Sequence, residues 1–374
     1  MRIGFDAKRI FLNETGLGVY SRLLVQNLTS FFPQHEYFLF TPRVNSDSFH
    51  EKFRKSPFHV ITPSIPYPGW RTFGMGKAIY REGIELYHGL SHEIPVGVSS
   101  SRCRKIVTIH DAVFMRYPEF FPVPDRQLYL LKWRHSCSQA DMLIAVSENT
   151  REDLIRYFNI RESRVKVIYQ TCDPLFYEQV PQETKDEIRS VFSLPGEFML
   201  YVGSIIRRKN LLSIVQAMQR IPPHLRIPLV IVGTGKGYKK KVQEYIAEHK
   251  LNKTVFFIDK VANSELPAIY QLARIFIYPS HYEGFGIPIL ESLASKTPVV
   301  TSSTSSMPEA GGPGAVLIDP GDIDSIAEGI ASLLEDQALY ESCILKGFQH
   351  AQSFTGERQA TETMQLYNQI MQEE

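Results

Sequence analysis

The feature that most constrains this chain is an alternation of short, nearly continuous apolar runs with longer segments of helical spacing. Seven runs come first: RIGF, YFLF, HVIT, ELYH, KIVTIH, MLIAV and VKVIY. After a polar stretch six more follow: FMLYVG, PLVIVG, VFFI, RIFIY, PVVTS and AVLI. Each is rich in β-branched and aromatic residues and too short for a helix. Between most of them, apolar residues recur at three- and four-residue intervals, as in Leu211, Ile214, Val215 and Met218. Strands that carry no polar face must be covered on both sides, and helices alternating with such strands cover parallel sheets. The expected fold class is therefore α/β, with two Rossmann-like, doubly wound domains.

Composition agrees with this. A chain of 374 residues with 43% hydrophobic and 22% charged residues can bury two cores and is too apolar to stay disordered. The join is expected where QTCDPLFYEQVPQETKDEI is polar and carries Pro174 and Pro181, giving domains over 1–176 and 177–354. The C-terminal stretch 355–374 reads as a helix with Ala360, Met364 and Tyr367 on one face, expected to pack back on the first domain. The opening MRIGFDAKRIF places charges where a signal peptide needs an apolar core, and no apolar run approaches the roughly 18 residues of a membrane span. A cytoplasmic protein is expected. Cys103, Cys137, Cys172 and Cys343 are widely spaced, which suggests reduced thiols and neither a disulfide framework nor a zinc site. Net charge is +1, but residues up to Phe176 carry 23 Lys and Arg against 17 Asp and Glu, and the remainder 18 against 23. The basic half could meet an anionic membrane surface, with Lys52, Arg54, Lys55, Lys77 and Arg81 as candidates.

In doubly wound sheets ligands bind beyond the carboxyl ends of the strands, so the residues just after each run carry the functional signal. After the first run come Gly16 and Gly18 in ETGLGVY, which suit either a tight turn or backbone approach to a phosphate or sugar. His110 and Asp111 follow KIVTI, SIIRRKN follows FMLYVG, and HYEGFGIPILE follows RIFIYPS. No phosphate-binding loop of the G-x-x-x-x-G-K-[ST] type and no G-x-S-x-G nucleophile elbow is present. The pair Asp322 and Asp324 imitates a D-x-D metal motif, but it precedes a helical run and reads as a helix cap.

Taken together, GLGVY, TIHDAVF, AVSENT, YVGSIIRRKN, YPSHYEGFGIPILESLA and SSMPEAGGPGAVLIDP resemble family-4 glycosyltransferases of the GT-B fold over nearly the whole chain. That resemblance implies two domains facing each other across a cleft. It also implies a retaining, metal-independent hexosyl transfer from a nucleoside-diphosphate sugar to a glycan or glycolipid, with no cofactor. Pro288 suits the first turn of a helix, so the backbone N–H groups of Phe285, Gly286 and Ile287 would lie at its positive end near a diphosphate. By resemblance Glu283 accepts from hydroxyls of the donor sugar and Glu291 takes both ribose hydroxyls. Arg208 and Lys209 are expected to stabilise the leaving diphosphate, and His110 to face the transferring hexose from the first domain. Gly203, Ser204, Lys260 and Val261 complete the expected donor site, Lys260 and Val261 near the nucleotide base.

Three departures stand out. Ser204 occupies a position where relatives often carry arginine, Asp259 one where they often carry glycine, and Gln170 and Thr171 stand where Asn-Gly is common. Mannose from GDP-mannose is the first expectation for the donor, with UDP-linked hexoses as alternatives. A sugar-nucleotide epimerase on the same fold, or a sugar-nucleotide-binding protein without turnover, are the competing functions. The expected partners are the donor, the acceptor glycan and an anionic membrane at its inner face, and not nucleic acid.

Overall fold

A computed structural model describes residues 1–44, 48–65 and 67–372. Each apolar run becomes a strand. In the first unit these are β1 (Arg2–Asp6), β2 (Glu36–Phe40), β3 (Phe58–Ile61), β4 (Leu86–Gly89), β5 (Arg104–Ile109), β6 (Met142–Ala145) and β7 (Val165–Val167). In the second they are β8 (Met199–Val202), β9 (Leu229–Val232), β10 (Val255–Ile258), β11 (Ile275–Tyr278), β12 (Val299–Ser302) and β13 (Ala315–Ile318). All pairings are parallel, in the orders β3-β2-β1-β4-β5-β6-β7 and β10-β9-β8-β11-β12-β13. The direction of winding reverses between β1 and β4 in one sheet and between β8 and β11 in the other. At such a reversal the loops leaving two adjacent strands go to opposite faces and open a crevice.

The chain divides into Met1–Thr171 with the C-terminal segment from Thr355, and Cys172–Phe354. The boundary falls five residues earlier than the composition suggests. The reason is local: Asp173 caps the turn Pro174–Tyr177 by accepting from the Leu175 N–H at 3.1 Å, and Phe176 is buried against Tyr270 of the second unit. The C-terminal helix Gly356–Gln372 buries Ala360, Met364 and Tyr367. It lies on the helix Gly16–Phe31, where Asn27 donates to Gln359 at 3.4 Å, and the Tyr367 hydroxyl sits 2.6 Å from His88 Nδ1 at the end of β4. Expected positions 373, 374 and Pro66 lie outside the described residues.

The core of the second unit joins Met199, Tyr201, Ile231, Ile277 and Val300 from the sheet to Leu211, Ile214, Val215, Ile326 and Ile330 from its helices. In the first, one face of β5 and β6 packs on Trp133 and Leu154, while Phe38, Phe40 and Tyr87 pack on Trp70, Met75 and Ile79. Cys103, Cys137, Cys172 and Cys343 are all buried, and none of them is in a disulfide. Among the described residues no helix is long and apolar enough to cross a membrane.

Candidate active site

The crevice of the second sheet is built from the segments after β8 and β11. After β8, Gly203 takes φ of 145° and the chain turns through Arg207–Lys209. Asn210, in the left-handed region with φ of 60°, buries its amide by donating to the Pro320 carbonyl at 2.8 Å. Arg207 is exposed, whereas Arg208 and Lys209 turn inward with side chains 18% and 12% exposed. Arg208 Nη1 lies 2.8 Å and Lys209 Nζ 3.2 Å from Oε1 of Glu283, which follows β11. The same oxygen accepts from Ser280 Oγ at 2.8 Å and Tyr278 Oη at 3.1 Å. Lys209 also donates to the Tyr278 hydroxyl and stands 4.7 Å above its ring.

Burial by itself would raise the Glu283 pKa, but Arg208 and Lys209 outweigh it and bring the group down to about 2. Burial lowers Lys209, with Glu283 opposing and Arg208 adding to the effect. Two cations against one carboxylate leave an excess positive charge in a region of low dielectric, where a second anion is strongly favoured. The backbone of Glu283 is fixed separately: Ser305 and Ser306 hydroxyls donate to its carbonyl at 2.6 and 2.8 Å.

The helix Ile287–Ala294 begins four residues later. Gly286, at φ of 117°, forms its N-terminal boundary, a backbone conformation that a side chain would strain, and Pro288 occupies the first turn. Glu291 lies one turn in and is 8% exposed, with Tyr270 Oη donating to it at 3.0 Å. Burial raises its pKa to about 7, the Tyr270 hydrogen bond opposing. Phe285 is buried against Phe354, with ring centroids 5.5 Å apart. Lys260 and Val261 lie in the loop after β10, Lys260 exposed; beside them Asp259 pairs with Lys239.

In the first unit Asp6, fully buried at the end of β1, pairs with Arg71, whose Nε donates at 2.8 Å. Arg71 also reaches Glu93 Oε1 at 2.5 Å, and Lys132 meets Glu93 at 3.4 Å. His110 follows β5. Its Nε2 is 2.9 Å from the Leu90 carbonyl and its Nδ1 3.0 Å from Gln170 Nε2. Burial lowers its pKa to about 4, the Leu90 hydrogen bond opposing. His88 has a structural position, its Nε2 2.8 Å from Thr108 and its Nδ1 on Tyr367. Gly18 is set by the chain itself, since a Cβ there would come within 1.9 Å of the Asn13 carbonyl; at Gly16 a Cβ would meet nothing within 4 Å. Asp322 accepts from the Asp324 N–H at 2.9 Å and is the N-cap of the helix Ile323–Glu335. Among the described residues no three His, Cys, Asp or Glu side chains cluster as metal ligands.

Within the second unit the fold thus brings together Gly203, Arg208, Lys209 and Glu283, with Glu291 one turn into the next helix. It adds Tyr278, Ser280, Tyr270, Ser305 and Ser306, which motif spacing does not single out. Tyr278 and Ser280 lie in the quoted YPSHYE; Tyr270 carries no sequence signal, because it reaches Glu291 from another helix.

Known proteins share the fold of this chain. Residues 15–174 match the model for Glycosyltransferase Family 4, and residues 183–350 that for Glycosyl transferases group 1. The chain is 29% identical to O-antigen chain mannosyltransferase B of Escherichia coli over 98% of its own length and 99% of the relative's. The fold superposes on sucrose-phosphate synthase from Thermosynechococcus elongatus with a TM-score of 0.79, at 20% identity over 99% of both chains. It matches Anabaena HepE, solved with UDP and glucose, equally well in TM-score (0.79), at 17% identity over 99% and 100% of the two chains. With two parallel Rossmann-like sheets and both halves matched by glycosyltransferase models, the chain belongs to the GT-B glycosyltransferases.

Proposed function

We propose that this glycosyltransferase moves mannose from GDP-mannose to a growing, lipid-linked polysaccharide with retention of anomeric configuration and without a metal or other cofactor. The observation that carries the reading is Glu283 held by two partly buried cations, Arg208 and Lys209, at the reversal of the second sheet. A diphosphate arriving there meets positive charge already fixed in place. Charge that grows on the leaving group is stabilised without reorganisation. The acceptor hydroxyl attacks the anomeric carbon on the face from which the diphosphate departs. The new C–O bond forms as the sugar–phosphate bond breaks, and the hydroxyl proton passes to the leaving phosphate oxygen.

Glu291 accepts the ribose hydroxyls. Phe285, Gly286 and Ile287 present backbone to the diphosphate, with Gly203 and Ser204 lining its other side. Lys260 and Val261 lie by the base. In the first unit Gly16 leaves room for a ligand and His110 faces the hexose. The name of the Escherichia coli relative supports mannose and a polysaccharide acceptor. Peripheral attachment at the inner face of the membrane is supported by Ile65, Tyr67 and Phe73, exposed at 78%, 48% and 70%, with Lys77 one turn beyond Phe73 and Arg81 one turn further.

The test incubates the purified protein with GDP-mannose, UDP-glucose, UDP-galactose or UDP-N-acetylglucosamine and a mannan oligosaccharide, in excess EDTA. GDP release and an α-linked product by NMR are expected. Release of another nucleotide, an inverted product, or activity that returns only with magnesium would overturn the corresponding part.

A further inference from the structure

His110 is enclosed by groups that leave its ring little freedom. The Leu90 carbonyl, 2.9 Å from Nε2, can only accept, so Nε2 carries the proton. A neutral imidazole then has its lone pair on Nδ1, and the group facing it at 3.0 Å is the side-chain amide of Gln170, itself 6% exposed. The ring is held edge-to-face by Tyr20, with centroids 4.6 Å apart, and by His92 at 5.2 Å. His92 in turn stacks on Trp133 at 4.3 Å. The backbone is held as well: the His110 N–H donates to His92 Nδ1 at 3.4 Å and its carbonyl accepts from Thr150 Oγ1 at 3.2 Å.

We propose that Gln170 is a positioning residue for His110. Its amide N–H fills the Nδ1 lone pair while Leu90 takes the Nε2 proton, so the ring has one orientation, one tautomer and no charge. His110 then works as a hydrogen-bonding group of fixed polarity and not as a proton carrier. The titratable and charged neighbours point the same way. His88 on β4, His92 after it, Tyr20 on the helix Gly16–Phe31 and Arg9 on the helix Lys8–Leu12 surround the ring, and Arg9 lowers its pKa after burial does. A proton on Nδ1 would be placed among these groups and would face the N–H of Gln170. Gln170 is also the second-to-last residue before the chain leaves the first unit at Thr171. A ligand hydroxyl that takes over from Gln170 at Nδ1 must donate, which selects the orientation of a sugar hydroxyl there. That consequence rests on the proposed reading of His110 as facing the hexose; the tautomer does not.

Long-range proton–nitrogen NMR of the full chain, with His110 assigned from the signals lost in His110→Gln, tests the proposal directly. The expected spectrum at pH 7 is that of a neutral ring protonated at Nε2, with no titration above pH 5. Gln170→Glu places a carboxylate at Nδ1 and should raise the titration midpoint by more than two pH units, moving the acid limb of kcat/KM the same way. Gln170→Leu should lower kcat about fivefold to tenfold, the worth of one buried hydrogen bond, with the KM for the donor little changed. A doubly protonated ring at pH 7 in the parent protein, or an unmoved titration in Gln170→Glu, overturns the proposal. If no nucleotide sugar is turned over at all, the proposed function fails while the NMR result still decides this one.

Discussion

The two crevices solve the problem of buried polarity in opposite ways. In the first unit the residues at the strand ends are a closed ion pair, Asp6 with Arg71, and three histidines that burial keeps neutral, with His88 held at about 3 and His110 at about 4. In the second the charges are open: Glu283 is ionised at about 2, two cations exceed it, and Glu291 is held at about 7. A neutral, hydrogen-bonded wall suits a sugar, whose hydroxyls need directed partners. An excess of fixed positive charge suits a diphosphate, and a carboxyl that ionises near neutrality suits ribose hydroxyls. The two crevices differ in charge although both lie at a reversal of a parallel sheet, because the loops after β1, β4 and β5 differ in residue type from those after β8 and β11.

Four measurements can break or sharpen this contrast. The largest effect is expected at the closed pair. Arg71→Ala leaves the fully buried Asp6 carboxylate without its cation, while Glu93 keeps Lys132, which should cost the first unit about 3–5 kcal/mol. Trp70 and Trp133, the chain's two tryptophans, both lie in that unit, so the denaturant midpoint by tryptophan fluorescence reads it alone. An unshifted midpoint would mean that the pair carries no net stability.

Next comes the open charge. Lys209→Ala should lower turnover on the order of 100–1000-fold while weakening donor binding much less, because a fixed cation acts mainly as charge develops. Equal losses in kcat and affinity would place Lys209 in ground-state binding instead.

Glu291→Ala should weaken nucleoside diphosphate binding by about 1–3 kcal/mol, since the ribose hydroxyls lose a buried acceptor. In the parent protein the carboxylate form is the acceptor, so affinity should rise between pH 6 and pH 8 by about tenfold. Calorimetry showing a pH-independent affinity would remove Glu291 from the ribose site.

The remaining effects concern stability against pH, where the buried histidines of the first unit and Glu291 of the second carry opposite signs. His88 and His110 have folded pKa values below the ordinary 6.5, so their stabilisation is present above pH 6.5 and is lost as pH falls toward 4 and 3. Glu291 is raised from 4.5 to about 7, so its contribution is full below pH 4.5 and is lost as pH rises through 7. Glu283, lowered to about 2, contributes above 4.5 and loses that only in stronger acid. Tryptophan fluorescence should therefore report a first unit that weakens on acidification from pH 6.5. Glu291→Gln should flatten the decline of the second unit between pH 4.5 and 7, followed by hydrogen exchange in β8 and β11.

Much of this was legible in the residues. Every apolar run became a strand, because a run without a polar face can only be buried on both sides, and parallel sheets provide that. EGFGIPILE announced its own helix start, since Gly286 and Pro288 suit a helix N-terminus and the spacing places Glu291 one turn in. RRKN was ambiguous on its own. Only the turn after β8, with Asn210 locked to Pro320, decides that Arg208 and Lys209 turn inward and Arg207 outward. Partners from distant elements were invisible for the same reason: Tyr270 to Glu291, Arg71 to Asp6 and Gln170 to His110 are 21, 65 and 60 residues apart. Periodicity records which face of an element is buried, and so it determined the thirteen strands among the described residues, the helices between them and the polar residues at their ends. Strand order and side-chain pairing depend on how those elements close on one another, and so the charge state of each crevice was decided only in the folded chain.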